Sequence, residues 1–600
     1  MMNLSDLRFT ECANFYKLKD GCSLTDANIH SMMVEVTKEK MRGYLFDKER
    51  EDGGNGTRFS LRVFKYKTDR PNFFNHPEPG WDEIRIGFYL FIECDRYVVV
   101  LKRYANIPKA INDKLENVDY STLMALETKP DSVFKKLSMQ NLDGSDYAMR
   151  NKTYESLDLS NNISTIGVSR YFVRSVKGNN GNDRFSLTLN SSRINEFKGD
   201  LTVRDLCGWV RAKVNEIGAL GAMPDTLLSA FAKPEKYGAV YRALQPSSLL
   251  IFYGLIVTLK DEHQAQFFHT NSQEQRKQID DLVLDKYIDS IARAYTSVQV
   301  VTKGDGDHYY VGQNNAIEIR KTQTGIRLLN KTWRNIEIER TQDGEYDGDL
   351  QSLINGNHQF NVYFTDKELV YNNRTLFRDA RLTASIPQFL KVLKPIAALN
   401  GTQYEKYNGH SPRGLNAWAP DSVFQVVENT FMPQYTYFIC DDYEDEWADH
   451  IGIGTDKVSF FVSKHKSSND SASDFQDVVG QALKDLGNLS PSTGQLNGKA
   501  AGWGGMYLTS NMTRFRSRIG TVRDAITLWG NNVMSPNYER EMCLVVDFLS
   551  YRTFSQQLTD IANNVPVAHE ASLFQRLWIL SSFVNGCLEC GVKPVIYCKD

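Results

Sequence analysis

An aspartate and a lysine near the end of the chain have the types and spacing of a hydrolytic centre. Asp449 stands at the start of a short apolar segment, and Lys464 ends the apolar segment that follows it after a turn. A carboxylate can bind a hard cation such as Mg²⁺ or Mn²⁺, and a lysine can orient the attacking water and stabilise developing charge. The pair is therefore compatible with metal-assisted hydrolysis, although a solvated turn beside a strand end would carry the same two residues.

The segments around these two residues alternate between helix and strand patterns. Residues 421–431 predict a helix that Asp421 caps, and strands are predicted for 435–440, 449–454 and 457–466. A helix then spans 471–487, a Gly- and Ser-rich loop covers 488–505, and strand, helix and strand follow at 542–549, 575–591 and 593–599. This order puts Asp449 and Lys464 on neighbouring strands of one hairpin.

The order of elements, with the stretches CDDYEDEWADHIGI, VSFFVSKHK and SASDFQDVVGQALKDLG, resembles the PD-(D/E)XK nuclease superfamily over residues 420–600. The resemblance implies a restriction-endonuclease-like α/β core that cleaves nucleic acid with Mg²⁺ or Mn²⁺ as cofactor. It also implies that Asp449 binds the metal and that Lys464 is the catalytic lysine. The same stretches are similar to a nuclease-like block of sporadically distributed bacterial defence proteins. That similarity implies an effector of defence against phage or foreign DNA.

The sequence departs from the superfamily pattern at one position. The carboxylate expected two residues before the lysine falls at Val462, which cannot bind a metal. Three other side chains are candidates to replace it: Glu428 on the preceding helix, Glu446 in the preceding turn, and Gln481 on the following helix. We expect Asp449 and Glu428 to hold the metal, with Glu446 and Gln481 as further catalytic residues.

A basic cluster surrounds Phe515 in the same part of the chain. Its members are Arg514, Arg516, Arg518 and Arg523. Such a cluster can clamp a phosphate backbone beside the hairpin, or it can be a solvated charge run or a face of salt bridges between domains. We expect these four arginines to bind nucleic acid.

Weaker signals lie close to the hairpin. His450 and His465 flank the predicted pair, and they either assist near the scissile phosphate or are merely its neighbours. The acidic run 441–446 either helps to hold metal or forms a solvated turn. Cys587 and Cys590 form a CxxC pair, but a zinc site needs four ligands and no second pair is present, so we expect buried thiols.

The rest of the sequence indicates a multidomain α+β protein. A β-rich N-terminal domain is expected over 1–150, a mixed α/β domain over 151–300, a β-rich middle domain over 301–415, and the nuclease-like α/β domain over 416–600. Within this scheme a helix is predicted at 386–399 and a turn-rich linker at 401–416. The β-rich regions would sense a trigger, bind nucleic acid or build a homo-oligomer.

Bulk composition limits the classes of partner. Of the 600 residues 41% are hydrophobic and the net charge is −3, so nucleic acid has to be held by a local basic patch. The longest apolar run is shorter than the ~20 residues that cross a bilayer, which argues against a membrane partner. Nine scattered cysteines without a recognisable secretory leader suggest a cytoplasmic protein. No ATPase signature is present, so an ATPase or helicase would be a separate chain.

Two alternatives stand beside an active DNA nuclease. The missing carboxylate at Val462 favours a catalytically inactive nuclease fold that binds DNA and recruits a partner enzyme such as a helicase or methyltransferase. An RNase is the other alternative, because hydrolysis of RNA and of DNA needs the same catalytic set. A second metal ligand close to Asp449 would count against the inactive scaffold.

Overall fold

A computed structural model of the chain shows two compact units. One unit consists of residues 1–157 and 170–380, and the other of residues 158–169 and 381–600. The described residues are 3–37, 44–68, 83–105, 114–142, 150–160, 163, 170–220, 227–271, 275–291, 294–295, 297–304, 306–340, 346–357, 359–366, 368–372, 374–379, 386–409, 411–443, 445–467, 471–563 and 565–600. Helices and several sheets are both present, which confirms the mixed α+β class.

The first unit contains an 11-stranded antiparallel sheet. Its strands, in pairing order, are Tyr44–Gly54, Thr57–Thr68, Glu83–Cys94, Tyr97–Arg103, Phe9–Leu18, Arg193–Leu201, Asp183–Thr188, Tyr171–Asn180, Val133–Asn141 and Asn151–Glu155, with Leu115–Asn117 paired beside Phe9–Leu18. The associated helices are Asp26–Thr37, Tyr120–Glu127 and Val203–Gly218. The last of these buries an apolar face that includes Leu206 and Val210. The sheet continues past residue 150 and so crosses the first predicted domain boundary.

Three smaller antiparallel sheets in the first unit share one hydrophobic core. Their strands, again in pairing order, are Lys233–Glu235, Thr375–Arg378, Leu369–Asn372, Phe360–Phe364, Pro246–Ile251 and Ala294–Tyr295; Arg276–Gln278, Ala265–Thr270, Ile336–Arg340 and Tyr346–Asp349; and Gln299–Lys303, Gly306–Val311, Ile317–Thr322 and Gly325–Leu329. The helices among them are Tyr237–Val240, Gly254–Asp261, Asp281–Ile291, Lys331–Arg334 and Leu350–Gly356. Leu249, Ile319 and Ile338 join one core from three different sheets. That core spans the boundary predicted at residue 300.

The second unit is organised around a six-stranded sheet. We number its strands β1 (Leu393–Pro395), β2 (Tyr437–Cys440), β3 (His450–Ile453), β4 (Lys457–Lys464), β5 (Glu539–Ser550) and β6 (Lys593–Lys599). Its helices are α1 (Ile386–Leu390), α2 (Val423–Phe431), α3 (Ala472–Lys484), α4 (Thr493–Trp503), α5 (Val522–Asn532), α6 (Tyr551–Ala562) and α7 (Glu570–Glu589). The strand order is β1-β6-β5-β4-β3-β2, in which β1, β6, β5 and β4 run parallel and β3 runs antiparallel to both neighbours.

Alternating residues of β4 show how helices cover both faces of this sheet. Val458, Phe460 and Val462 join the core that includes residues of α3 and α7, whereas Phe461 joins the core on the side of α2. All three helices pack against the central strands. Because β3 runs antiparallel to β2 and β4, the ends of β2 and β4 and the start of β3 meet at one edge of the sheet. The residues of the candidate site lie at this edge.

Several local predictions differ from the observed elements. Helix α2 is capped by Ser422, whose hydroxyl accepts the Gln425 N–H, and not by Asp421. The segment predicted as a loop contains helix α4, which begins at a reciprocal cap between Ser492 and Gln495. The helix predicted at 386–399 is only α1, because the chain turns into the short strand β1 that ends at a proline.

Within the described part of the chain, none of the helices combines the length and the apolar character needed to span a bilayer.

Candidate functional site

The loop between β2 and β3 folds around one buried carboxylate. Asp441 follows β2 directly and is fully buried. Its partners are Trp503 Nε1 at 2.7 Å, the Trp447 N–H at 2.9 Å, Lys499 Nζ at 3.0 Å and Arg514 Nη2 at 3.0 Å. Burial raises the pKa of Asp441, and the charge of Lys499 opposes that rise. All of these contacts are internal, so Asp441 holds the loop in place against α4.

The same loop brings three carboxylates together at the edge of the sheet. Oxygen atoms of Asp442, Glu446 and Asp449, here called the acid cluster, lie within 4.8 Å of one another. Asp449 is 8% exposed, and its Oδ2 accepts the Ser463 N–H of β4 at 2.5 Å. Burial, followed by the charge of Asp442, raises the pKa of Asp449 well above its usual range, and the same two causes raise the pKa of Glu446. The cluster thus carries mutual repulsion that a cation would relieve.

A lysine from the segment before α2 already meets the acid cluster. Lys406 Nζ lies 2.7 Å from Asp442 Oδ2, which also accepts the Tyr507 hydroxyl at 2.8 Å. Burial alone would lower the pKa of Lys406, but the charges of Asp442 and Asp449 raise it. One ammonium group therefore offsets part of the negative charge of three carboxylates.

Residues 402–406, here called the strap, are held by the start of α2. The Val423 N–H donates to the Tyr404 carbonyl at 2.9 Å, and the Phe424 N–H donates to the Glu405 carbonyl at 3.0 Å. The first N–H groups of a helix lack partners inside it, so the strap satisfies two of them. The segment predicted as a linker is in this part an ordered side of the site.

Lys464, the last residue of β4, points to the strap. Its Nζ lies 3.3 Å from Glu405 Oε2, and Glu405 Oε1 lies 3.7 Å from Lys406 Nζ. Val462, on the same face of β4, is buried in the core. The carboxylate beside the lysine therefore comes from the strap, and the acid cluster comes from the loop between β2 and β3.

The donors of the acid cluster suit a hard divalent cation. Mg²⁺ and Mn²⁺ prefer carboxylate oxygens, and the cluster supplies three such groups from a loop that Asp441 fixes in place. A bound cation would favour the ionised carboxylates that burial disfavours. Asp449 and Glu446 are two of the predicted residues, and Asp442 belongs to the acidic run 441–446, whose Glu444 lies outside the described residues.

Glu428, the other predicted metal ligand, lies in a separate buried network. Arg516 binds both of its oxygens, at 2.7 Å from Nε and 2.6 Å from Nη2, and Trp418 Nε1 donates to it at 2.6 Å. Burial by itself raises the pKa of Glu428, but His450 and Arg516 lower it to about 2. The structure therefore gives Glu428 an internal counter-charge in place of the predicted metal.

Gln481 lies on α3 and is not a member of the acid cluster. It lines an open groove with Ser473, Gln476, Asp477, Gly480 and Lys484. The charge of Lys484 lowers the pKa of Glu446, against the larger effects of burial and Asp442 that raise it. Of the residues that line this groove, Lys484 is thus within electrostatic range of the acid cluster.

The four predicted arginines fall into two groups. Arg514 is buried, with Nη2 3.0 Å from Asp441 and Nε donating to the Cys440 carbonyl at 3.1 Å. Arg516 is bound to Glu428, so these two cations neutralise internal acids and are not available as a phosphate clamp. Arg518 and Arg523 are exposed, which leaves them as the candidates for nucleic-acid contact.

Three residues of the site were not predicted from the sequence. Glu405 and Lys406 stand in a turn-rich segment that predicts a linker, and their adjacent opposite charges were the only local signal. Tyr507 lies in a segment for which the sequence shows no chemical motif. All three reach the site through contacts between distant parts of the chain.

Neither protein-family models nor curated proteins give a match to this chain. The function therefore has to be inferred from the geometry of the second unit.

Proposed function

We propose that the second unit is a metal-dependent nuclease that hydrolyses phosphodiester bonds, with DNA as the preferred substrate. The observation that carries this proposal is the convergence of the acid cluster and Lys464 on the strap at one edge of a sheet. The observed order is α2, β2, β3, β4, α3, α4, α5, β5, α6, α7, β6. It contains the element order on which the PD-(D/E)XK resemblance rests, with α4, α5 and α6 as additional helices. A role in prokaryotic defence is supported by that resemblance alone.

Each side chain of the proposed site has a distinct task. The acid cluster would hold Mg²⁺ or Mn²⁺, which supplies Lewis-acid stabilisation to a non-bridging phosphate oxygen when bound. Lys464 binds the phosphate and stabilises the charge that develops on it. Glu405 keeps the Lys464 ammonium in position, and Lys406 together with Tyr507 orients Asp442.

A cleavage assay tests the proposal directly. The full chain would be incubated with plasmid, linear and single-stranded DNA and with RNA, in Mg²⁺, Mn²⁺ or EDTA. We expect metal-dependent cutting that is lost in Asp449→Ala and in Lys464→Ala. Asp456→Ala is the matched control, because this exposed acid lies in the turn at the other end of the same hairpin.

An inactive nuclease fold that binds DNA and recruits another enzyme is the second candidate. It is favoured by Val462 and by Lys406, which already neutralises part of the acid cluster. DNA binding without cutting by the wild type, in every metal, would support this candidate and overturn the first. Cutting that survives both substitutions would mean that the active centre lies elsewhere.

A further inference from the structure

A histidine and a buried aspartate form a second polar pair at the same strand edge. His465 follows the last residue of β4, and its Nδ1 lies 2.5 Å from Oδ2 of Asp547 on β5. Asp547 is fully buried, and its Oδ2 also accepts the Thr402 hydroxyl at 2.7 Å. Its Oδ1 accepts the Lys466 N–H at 3.3 Å. Both oxygens of the carboxylate are thus engaged, and the imidazole is held in one orientation.

The pairing fixes which ring nitrogen is free for proton transfer. With Asp547 as a carboxylate, Nδ1 of His465 donates the hydrogen bond, so in the neutral ring Nε2 is the proton acceptor. The side chain of His465 is 25% exposed, whereas that of Asp547 is 1% exposed. A buried carboxylate behind an accessible imidazole stabilises the imidazolium that forms when Nε2 takes a proton.

The strap connects this pair to the acid cluster. Lys464 lies opposite Val546 in the parallel pairing of β4 and β5, so Asp547 is at the strand edge where Lys464 ends β4. Thr402, at one end of the strap, contacts Asp547, and Lys406, at the other end, contacts the acid cluster. A second link is shorter, because the N–H of Ser463, two residues before His465, donates to Asp449 Oδ2 of the acid cluster at 2.5 Å.

We propose that His465, oriented by Asp547, accepts the proton of the attacking water in phosphodiester hydrolysis. The inference rests on the proposed nuclease function and identifies the general base of that reaction. The water oxygen forms a bond to phosphorus, its proton passes to Nε2 of His465, and the bond from phosphorus to the leaving oxygen breaks. The imidazolium then returns that proton to the leaving oxygen, so the ring ends neutral and no further reactant is needed.

Several charged groups surround His465 and could also affect the pH dependence of cleavage. Asp547 faces the ring from β5, and Lys464 and Lys466 flank it along the chain. Glu405 on the strap is the partner of Lys464, and Asp474 and Asp477 on α3 lie 3.5 and 3.7 Å from Lys466. A profile assigned to His465 must therefore persist when Lys466 is replaced.

The test measures kcat/KM against pH for bis(4-nitrophenyl) phosphate and for a labelled oligodeoxynucleotide in Mn²⁺. His465→Gln is expected to lower kcat/KM by about 100-fold or more and to lose the limb that rises with pH. Asp547→Asn should lower it less, since it removes only the orientation and the stabilising charge. Lys466→Met should keep the rising limb, and His30→Gln, which removes an exposed histidine paired with Glu49, should leave kcat/KM unchanged.

Rescue experiments separate chemistry from folding. In His465→Ala, added imidazole should restore part of kcat/KM, whereas a purely structural role would give a loss that is independent of pH and of imidazole. Nitrogen NMR of the wild type supplies a measurement that needs no active variant, and we expect the neutral His465 ring to carry its proton on Nδ1. A proton on Nε2, or wild-type kcat/KM and pH profile in His465→Gln, would overturn the inference. Absence of cutting by the wild type would instead overturn the proposed function, and with it this role.

Discussion

Two charge clusters lie at opposite ends of the parallel strands in the second unit, and they are built differently. At the strand starts, two acids face two lysines, with contacts of 3.0 and 3.1 Å, and these four residues are Lys457, Glu539, Glu541 and Lys593. At the strand ends, the described part of the chain gives the acid cluster three carboxylates and the close ammonium of Lys406. The first group, here called the balanced cluster, neutralises itself, and the acid cluster does not.

The pKa of Glu541 in the balanced cluster and the pKa of Asp449 in the acid cluster shift in opposite directions. Burial would raise the pKa of Glu541, but bonds from Ser459 and Lys457 lower it to about 2. Its neighbour Glu539 keeps a raised pKa, because burial and Glu541 outweigh Lys593. In the acid cluster, burial and Asp442 raise the pKa of Asp449. Perturbed acids without sufficient counter-charge are typical of sites that act on a ligand, whereas paired acids are typical of structural networks.

The largest expected effect is on activity at the acid cluster. Asp449→Asn should reduce metal-dependent cleavage by about 1,000-fold or more, because it removes a charged metal ligand that acts on the transition state. In EDTA the free energy of unfolding should not fall, since the neutral amide no longer meets the charge of Asp442. Single-turnover cleavage and urea unfolding measure the two quantities. A loss of activity that merely follows a loss of stability would contradict the comparison.

At the balanced cluster we expect the opposite pattern, in which a substitution lowers stability and leaves activity unchanged. Glu541→Gln should lower the free energy of unfolding by about 2 kcal/mol, because it leaves Lys457 without its partner, while partial exposure of that lysine limits the cost. Cleavage per folded molecule should stay at the wild-type level. Urea unfolding and active-site titration test this, and an unchanged stability would show that the balanced cluster is not a structural network.

The pH dependence of stability should have opposite signs at the two clusters. Asp449 has a raised pKa in the folded state, so without metal the free energy of unfolding should fall as pH rises above the ordinary carboxyl range. Glu541 has a pKa lowered to about 2, so its contribution is present above the ordinary range and is lost as pH falls toward about 2. Urea unfolding in EDTA from pH 3 to 8 measures both trends.

Variants and metal assign these trends to single residues. Asp449→Asn should flatten the decline at higher pH, and Glu541→Gln should flatten the rise at lower pH. Saturating Mn²⁺ should also oppose the decline, because a cation that binds the ionised cluster stabilises the folded state by mass action. Parallel pH curves for wild type and Asp449→Asn would contradict the mutual repulsion assigned to the acid cluster.

Sequence alone predicted the parts of this unit that depend on local pattern. The strand at 593–599 matches β6, and the acids Asp449 and Glu446 do meet, because they are three residues apart in one loop. Helix α4 was missed because its Gly-rich sequence has low helix propensity, which packing of Leu496 and Trp503 overrides.

Arg516 was misassigned because a sequence shows charge but not burial. Lys406 was missed because its partner Asp442 is distant in sequence.

The smallest expected effect is on DNA affinity, and it distinguishes the exposed arginines from the internal ones. Arg518→Ala and Arg523→Ala should each weaken DNA binding a few-fold and reduce the dependence of log affinity on log salt by about one unit, because each removes one contact to phosphate. Stability should change by less than about 0.5 kcal/mol, as for other exposed positions. Salt titrations of binding to a labelled duplex, with unfolding in parallel, provide the measurement.

Arg516→Met is the matched internal variant for this last prediction. It leaves the buried Glu428 without its bidentate partner, so it should lower the free energy of unfolding by about 3 kcal/mol and leave the salt dependence of binding unchanged where the protein is folded. The opposite pattern, a stable Arg516→Met with a reduced salt dependence, would return this arginine to the nucleic-acid interface.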